Sequence, residues 1–194
     1  MPTIVTITGC PSPTSRATAV LHYAHRVLAS VDIAAEMINL RHLPSTDLLL
    51  GIGYSAPIQQ SKRLIAKADG LIIATGICKG AYNGGLKAFF DLLPPAAFRN
   101  KIILPIALGA SDVDFPEVDR ALRTVLTALG ANQILEGAYL LERQVKLHDR
   151  QIYLEATAQQ RIDQGIDTLL RTIAQRPAMS RFGPIPLRVR KNIS

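Results

Sequence analysis

The 194-residue chain predicts a three-layer α/β sandwich, with a five-stranded parallel sheet of order 2-1-3-4-5 between two layers of helices. Two observations predict it. Short β-branched runs alternate with segments of helical period along the whole chain, with no internal repeat. Hydrophobic residues make up 48% and charged residues 19%, which excludes a disordered chain and supplies one sizeable core.

The elements follow in order. Thr3-Ile4-Val5-Thr6-Ile7-Thr8 is a β-branched run stopped by Gly9 and reads as a buried strand. Cys10 to Ser15, with two prolines, is a loop by composition. Ala17, Val20, Leu21, Ala24, Val27 and Leu28 recur at helical spacing, so a helix covers about 15–29. Ala34 to Leu40 forms a second strand, and 41–56 reads as a polar connection with a short apolar run at 48–50. Ile58 to Ala68 is helical and stops at Asp69-Gly70. Leu71 to Thr75 is the third strand, followed by a glycine-rich loop and a helix over about 84–93 that ends before Pro94-Pro95. Lys101 to Leu108 is the fourth strand, closed by Gly109. Val118, Leu122, Val125, Leu126 and Leu129 mark a helix stopped by Gly130, and 132–141 holds the fifth strand. Leu154, Ala158, Ile162, Ile166, Leu169, Leu170 and Ile173 mark a final amphipathic helix.

Composition narrows the function classes. No run of 18 apolar residues is present, so no membrane-spanning helix is expected. The start, Met1 to Val5, lacks the basic and apolar regions of a secretory signal. Cys10 and Cys78 cannot make a disulfide scaffold and fit free thiols in the cytoplasm. No Cys/His cluster has zinc spacing. The net charge is +7, but residues 176–194 carry five bases and no acid, leaving +2 for the rest. That divides the chain into a domain over 1–175 and a basic tail over 176–194. The tail is read as a solvated terminus or an arm on a partner subunit. Nucleic acid is not the expected partner, because no aromatic interleaving or recognised module accompanies the charge.

In the expected strand order the chain reverses direction between strands 1 and 3, and a ligand crevice lies outside their carboxyl ends. Loops 9–16 and 76–83 should therefore line one pocket. The first leads from a strand into a helix, where exposed N–H groups favour a phosphate. Ser12, Thr14, Ser15 and Thr18 add hydroxyls and Arg16 a charge. No dinucleotide or nucleoside-triphosphate fingerprint is present, so a monophosphate fits better. An ordinary helix cap at Thr14 or Ser15 is the alternative reading. The second loop carries Gly76, Gly80, Gly84 and Gly85, which let backbone approach a flat ring. A plain flexible connection is its alternative. Cys10 and Cys78 fall on these two loops, as a redox pair or as two small thiols. His22 and His25 share a helix face without a third ligand, and read as surface histidines.

Residues 75–94 read Thr-Gly-Ile-Cys-Lys-Gly-Ala-Tyr-Asn-Gly-Gly-Leu-Lys-Ala-Phe-Phe-Asp-Leu-Leu-Pro. This resembles Thr-Pro-x-Tyr-Lys-x-x-Tyr-x-Gly-x-Leu-Lys-x-x-x-Asp-Leu-Leu-Pro of the NADPH-dependent FMN reductase family. Lys79, Tyr82, Gly84, Leu86, Lys87, Asp91, Leu92, Leu93 and Pro94 match. The likeness runs over about residues 3–175 and is greatest to the branch that supplies reduced flavin to alkanesulfonate monooxygenases. It implies a flavodoxin-like fold, with FMN at the strand 1/strand 3 crevice and NADPH or NADH as hydride donor. It also implies a homodimer or homotetramer, with a monooxygenase as recipient of reduced FMN.

Carried onto this sequence, the resemblance puts the FMN phosphate at Cys10, Ser12, Ser15, Arg16, Ala17 and Thr18. The ring falls at Gly76, Ile77, Cys78, Lys79, Gly80 and Tyr82, and its far edge at Leu108, Gly109 and Ala110. No side chain is assigned as catalytic, since flavin supplies the electron chemistry. The phosphate loop departs from the family's Gly-Ser-x-Arg-x-x-Ser-x-Ser: only Gly9 and Ser15 match, and Ser12 stands in place of the arginine. A hydrogen bond to a charged group is worth about 1.5–3 kcal/mol, so the change implies FMN held roughly tenfold to a hundredfold more weakly. Gly76, Cys78 and Asp114 replace a usual proline, tyrosine and histidine. These departures fit an enzyme that releases reduced FMN. They also fit a non-catalytic homologue that has altered or lost FMN binding and serves as a ligand- or partner-binding protein. A quinone or azo-compound reductase that retains its flavin is the third reading.

Overall fold

A computed structural model describes residues 1–10, 12, 14–148 and 151–176 of the chain. The basic tail beyond Arg176 lies outside the described residues. In chain order the elements are β1 (Ile4–Thr8), α1 (Arg16–Ala29), β2 (Ala35–Asn39), α2 (Ser45–Leu50), α3 (Ala56–Lys67), β3 (Gly70–Cys78), β4 (Ala81–Tyr82) and α4 (Gly84–Asp91). They continue with β5 (Ile102–Gly109), α5 (Phe115–Ala128), β6 (Gln133–Ile134), β7 (Ala138–Leu141), β8 (Val145–His148), β9 (Gln151–Leu154) and α6 (Ala156–Ala174).

The main sheet runs β2-β1-β3-β5, and β6 and β7 follow one another along the far side of β5. All these pairings are parallel. With β6 and β7 counted as one interrupted strand, this is the expected 2-1-3-4-5 order of a flavodoxin-like fold. The interruption centres on Gly137, where an added Cβ would lie 2.6 Å from the Tyr139 ring.

Every residue of β1 and β5 is buried, as are the first six of β3. Strands covered on both faces favour apolar and β-branched side chains throughout, hence the near-continuous runs in the sequence; the buried hydroxyls of Thr6, Thr8 and Thr75 each have a hydrogen-bond partner. Alternate residues serve opposite cores. Val5, Ile7, Leu71, Ile73 and Ile103 pack with Ile58 and Ile65 of α3, Phe89 and Phe90 of α4, and Leu122 and Leu126 of α5. Ile4, Ile72, Ile102, Leu104 and Ile106 pack with Val20, Leu21 and Ala24 of α1 and Ile162, Ile166 and Leu169 of α6. Phe90 anchors the first core, its ring edge-on to Phe98 at 5.6 Å between centroids.

Three expectations need correction. Residues 41–56 are not a plain connection, because they hold α2 and the first residue of α3. Residues 75–83 are not a free loop, because β3 continues to Cys78 and turns back as β4. The β8–β9 hairpin, absent from the sequence reading, pairs Val145 with Leu154 and lies before α6.

Guanidinium groups bind the backbone of the β6–β7 stretch. Arg123 donates to the carbonyls of Ile134 at 3.3 Å and Leu135 at 2.8 Å. Arg161 donates to the carbonyl of Tyr139 at 2.7 Å.

His25 is half-buried on α1, its Nε2 2.8 Å from Oγ1 of the fully buried Thr6. Burial and the neighbouring His22 lower its pKa from the usual 6.5, against the opposing pull of Glu36. The unfolded chain therefore takes up this proton first as pH falls. The stability held by neutral His25 is complete above its unfolded pKa and is lost as pH drops through and below it. Urea unfolding should show a lower midpoint at about pH 5.5 than at about pH 7.5, and His25→Gln should reduce that difference. In the opposite core, Phe90→Ala should cost about 3–5 kcal/mol in the same assay.

Candidate functional site

The site grows from strand register. Thr8 of β1 pairs with Ala74 of β3, and Gly76 of β3 pairs with Leu108 of β5. The segments that leave the carboxyl ends of these three strands therefore emerge side by side. Gly9 N–H donates to the Ala74 carbonyl at 3.3 Å, holding the first segment against the second. A Cβ at Gly9 would lie 2.6 Å from Leu86 Cβ, so the first segment also presses on α4.

The first segment is a capped helix start. Ser15 is buried and its Oγ accepts the Thr18 N–H at 3.1 Å. Thr18 Oγ1 lies 3.0 Å from Thr8 Oγ1. Ser12 Oγ accepts the Thr14 N–H at 3.3 Å, and its carbonyl accepts the Ser15 N–H at 3.3 Å. The N–H groups of Arg16 and Ala17 begin α1 and have no carbonyl four residues earlier in the helix. Ala17 itself is in the core, so only its backbone faces this end. Arg16 is tied elsewhere: Nε donates to the Val145 carbonyl at 3.0 Å and Nη1 lies 3.3 Å from Glu142 Oε2. Cys10 is half-buried beside this start.

The second segment is a tight hairpin. Lys79 and Gly80 both adopt positive φ, 52° and 72°, so the chain reverses in two residues. Ile77 pairs with Tyr82 and Cys78 with Ala81. Thr75 Oγ1 accepts the Asn83 N–H at 3.0 Å, and Asn83 Oδ1 accepts the Gly85 N–H at 2.8 Å, capping α4. Gly76 and Gly84 face open space, since a Cβ on either would meet nothing within 4 Å. Cys78, Lys79 and Gly80 are exposed; Tyr82 is partly buried. Burial raises the Tyr82 phenol pKa and Asp91 adds to that, while Lys87 opposes both.

The third segment closes on the second. A Cβ at Gly109 would lie 2.9 Å from the Ser111 carbonyl oxygen, 3.0 Å from the Phe115 ring and 3.2 Å from Ile77 Cδ1. Leu108 is in the core and Ala110 is exposed. The Gly80 turn faces Asp114, whose Oδ1 would lie 3.7 Å from a Cβ there. Arg120 points away, paired at 3.3 Å with Glu117 on the exposed face of α5.

A groove of about 660 Å³ opens from Gly84 and Gly85 and runs between α2 and α4, lined by Leu48, Leu49, Ala88 and Leu92. The sequence reading missed this groove because it missed α2. It also missed Thr75 and Asn83 as the residues that close the hairpin. An asparagine directly before Gly84-Gly85 is a helix N-cap signal and would have found one of them.

Two expected placements do not hold as side-chain contacts. The Ala17 and Leu108 side chains lie in the core, so only their backbone can meet a ligand. The remaining candidates lie on the segments that leave one end of the sheet. A positive helix end with hydroxyls suits a dianion, and open space over Gly76 suits a flat ring.

Residues 2–146 match the family described as NADPH-dependent FMN reductase. An "FMN reductase (NADPH)" of Escherichia coli strain K12 is 34% identical over 173 residues, 89% of this chain and 91% of that protein. Its counterpart from Pseudomonas putida is 34% identical, over 90% and 89% of the two chains. Among solved structures, an NADH:FMN oxidoreductase in its apo form superposes with a TM-score of 0.79, at 30% identity and covering 91% and 92%.

Gly9→Ala should lose about 1–3 kcal/mol in urea unfolding, because Leu86 Cβ cannot give way. Gly76→Ala should unfold at the wild-type midpoint within about 0.5 kcal/mol.

Proposed function

The chain belongs to the NADPH-dependent FMN reductase family, and from that premise we propose how its three segments divide the work. The reaction is transfer of reducing equivalents from NADPH or NADH to FMN. When bound, the flavin accepts a hydride from the reduced nicotinamide by its own ring chemistry.

The start of α1 holds the phosphate. The N–H groups of Arg16 and Ala17 face it with the positive end of the helix, and Ser12, Ser15 and Thr18 add hydroxyls, with Cys10 contributing backbone. Arg16 keeps its bond to Val145 and exchanges Glu142 for the phosphate, because a half-exposed ion pair contributes only about 0–1 kcal/mol. The hairpin Gly76, Ile77, Cys78, Lys79, Gly80 and Tyr82 lies along the ring. Gly109 and Ala110 offer backbone to the ring's far edge. No side chain need supply or remove a proton. The protein positions two ring systems and keeps water from between them.

The single observation that carries this arrangement is the in-register exit of β1, β3 and β5 with open space over Gly76. The weak side-chain set at the phosphate supports release of reduced FMN to a monooxygenase. A homodimer or homotetramer is supported by Leu49, Leu50 and Tyr54, which are 84%, 70% and 81% exposed, Leu49 lining the α2–α4 groove. We assign the reductase domain to 1–175 and leave 176–194 as an appended basic tail. The two free thiols support a cytoplasmic setting. Among the described residues, no helix is long and apolar enough to cross a membrane.

The purified protein should oxidise NADPH or NADH only when FMN is added, and should quench flavin fluorescence saturably. Absence of both would leave the non-catalytic reading; a yellow protein on purification would favour the flavin-retaining quinone or azo-compound reductase. Ser12→Arg should tighten FMN roughly tenfold to a hundredfold by restoring a charged hydrogen bond.

A further inference from the structure

The third segment rests on a column of side chains that the reaction itself does not use. Gly109 is held between Ile77 of the hairpin and Phe115 at the start of α5. Phe115 packs on Tyr139 of β7, with ring centroids 5.4 Å apart and planes tilted by 35°. The Tyr139 hydroxyl donates to Asp119 Oδ1. Asp119 in turn accepts from Arg123 Nε at 2.8 and 2.9 Å, and Arg123 is anchored on the carbonyls of Ile134 and Leu135. A chain of direct contacts therefore runs from the edge of the sheet to the two segments proposed to hold the flavin ring.

Each link is stiff. A tyrosine has two side-chain torsions, and here its hydroxyl and its ring face are both engaged. The Arg123 guanidinium is planar and spans a carboxylate and two carbonyls. A Cβ at 109 would lie 3.0 Å from the Phe115 ring and 3.2 Å from Ile77 Cδ1, so these two side chains together close the space in front of Gly109.

We infer that Tyr139 is a positioning residue for flavin: through Asp119 and Phe115 it fixes how the third segment, at Gly109 and Ala110, sits against Ile77 of the hairpin. The inference rests on the assignment of these two segments to the ring. It predicts an effect confined to the ring end of the ligand, leaving phosphate recognition at α1 untouched.

Tyr139→Phe keeps the ring stack and removes the hydroxyl. Its KM and Kd for FMN should rise about three- to tenfold, the worth of one ordinary hydrogen bond. The kcat and the KM for NADPH should hold, and riboflavin should weaken by the same factor as FMN. Asp119→Ala should reproduce the loss, and Asp119→Asn, which keeps an oxygen for Tyr139, should recover most of it. Arg120→Ala removes an exposed ion pair with Glu117 on the same helix without touching the column, and should bind FMN as the wild type does. Unchanged FMN affinity in Tyr139→Phe would overturn the inference while leaving the site intact. So would a loss that follows the fraction of unfolded protein. A wild-type protein that binds no flavin would overturn the site assignment and this inference together.

Discussion

Parallel pairing in register is the constraint on which the molecule depends. β1, β3 and β5 lie side by side, and their buried runs fit only one alternation of faces. A slip by one residue would exchange the two cores and send Val5, Leu71 and Ile103 toward α1 and α6. The same register decides which backbone atoms emerge together at the carboxyl ends. Core packing and ligand geometry are therefore one problem in this fold. The strands that cannot slip are the strands that carry the segments proposed to bind flavin.

Around that rigid end the protein keeps only small and backbone-rich elements. The helix start at Ser15, the two-residue turn at Lys79-Gly80 and the pressed Gly109 offer N–H groups more than side chains. That suits a cofactor whose chemistry is its own. Such a site recognises shape and charge and gives little up when its side chains vary. In the proposed site, Ser12 in place of an arginine leaves the backbone N–H groups of the helix start as the main donors to a phosphate.

The three central strands were legible because burial on both faces leaves unbroken apolar runs. The helices α1, α5 and α6 were legible because each keeps one stripe in a core. What escaped was structure made by partners rather than pattern. The run Ser45-Thr46-Asp47 reads as a turn, yet with Leu48, Leu49 and Leu50 it forms α2 and makes half of a groove. The hairpin β8–β9 is mostly exposed and mixes Lys146 and His148 into its strands, so it carries no strong period. At the site, the positions of the segments were readable from topology alone. The bond between Tyr139 and Asp119 was not, because it joins residues 20 apart that no motif connects.

The guanidinium groups on the outer side of β6–β7 have a consequence for the protein as a solute. An unpaired strand edge is a template for another chain's backbone. Here three carbonyls of the outermost stretch, on Ile134, Leu135 and Tyr139, are already occupied by Arg123 and Arg161. An incoming peptide would have to break charged hydrogen bonds before making neutral ones. The arginines thus leave fewer free backbone acceptors on the stretch where strand pairing is interrupted.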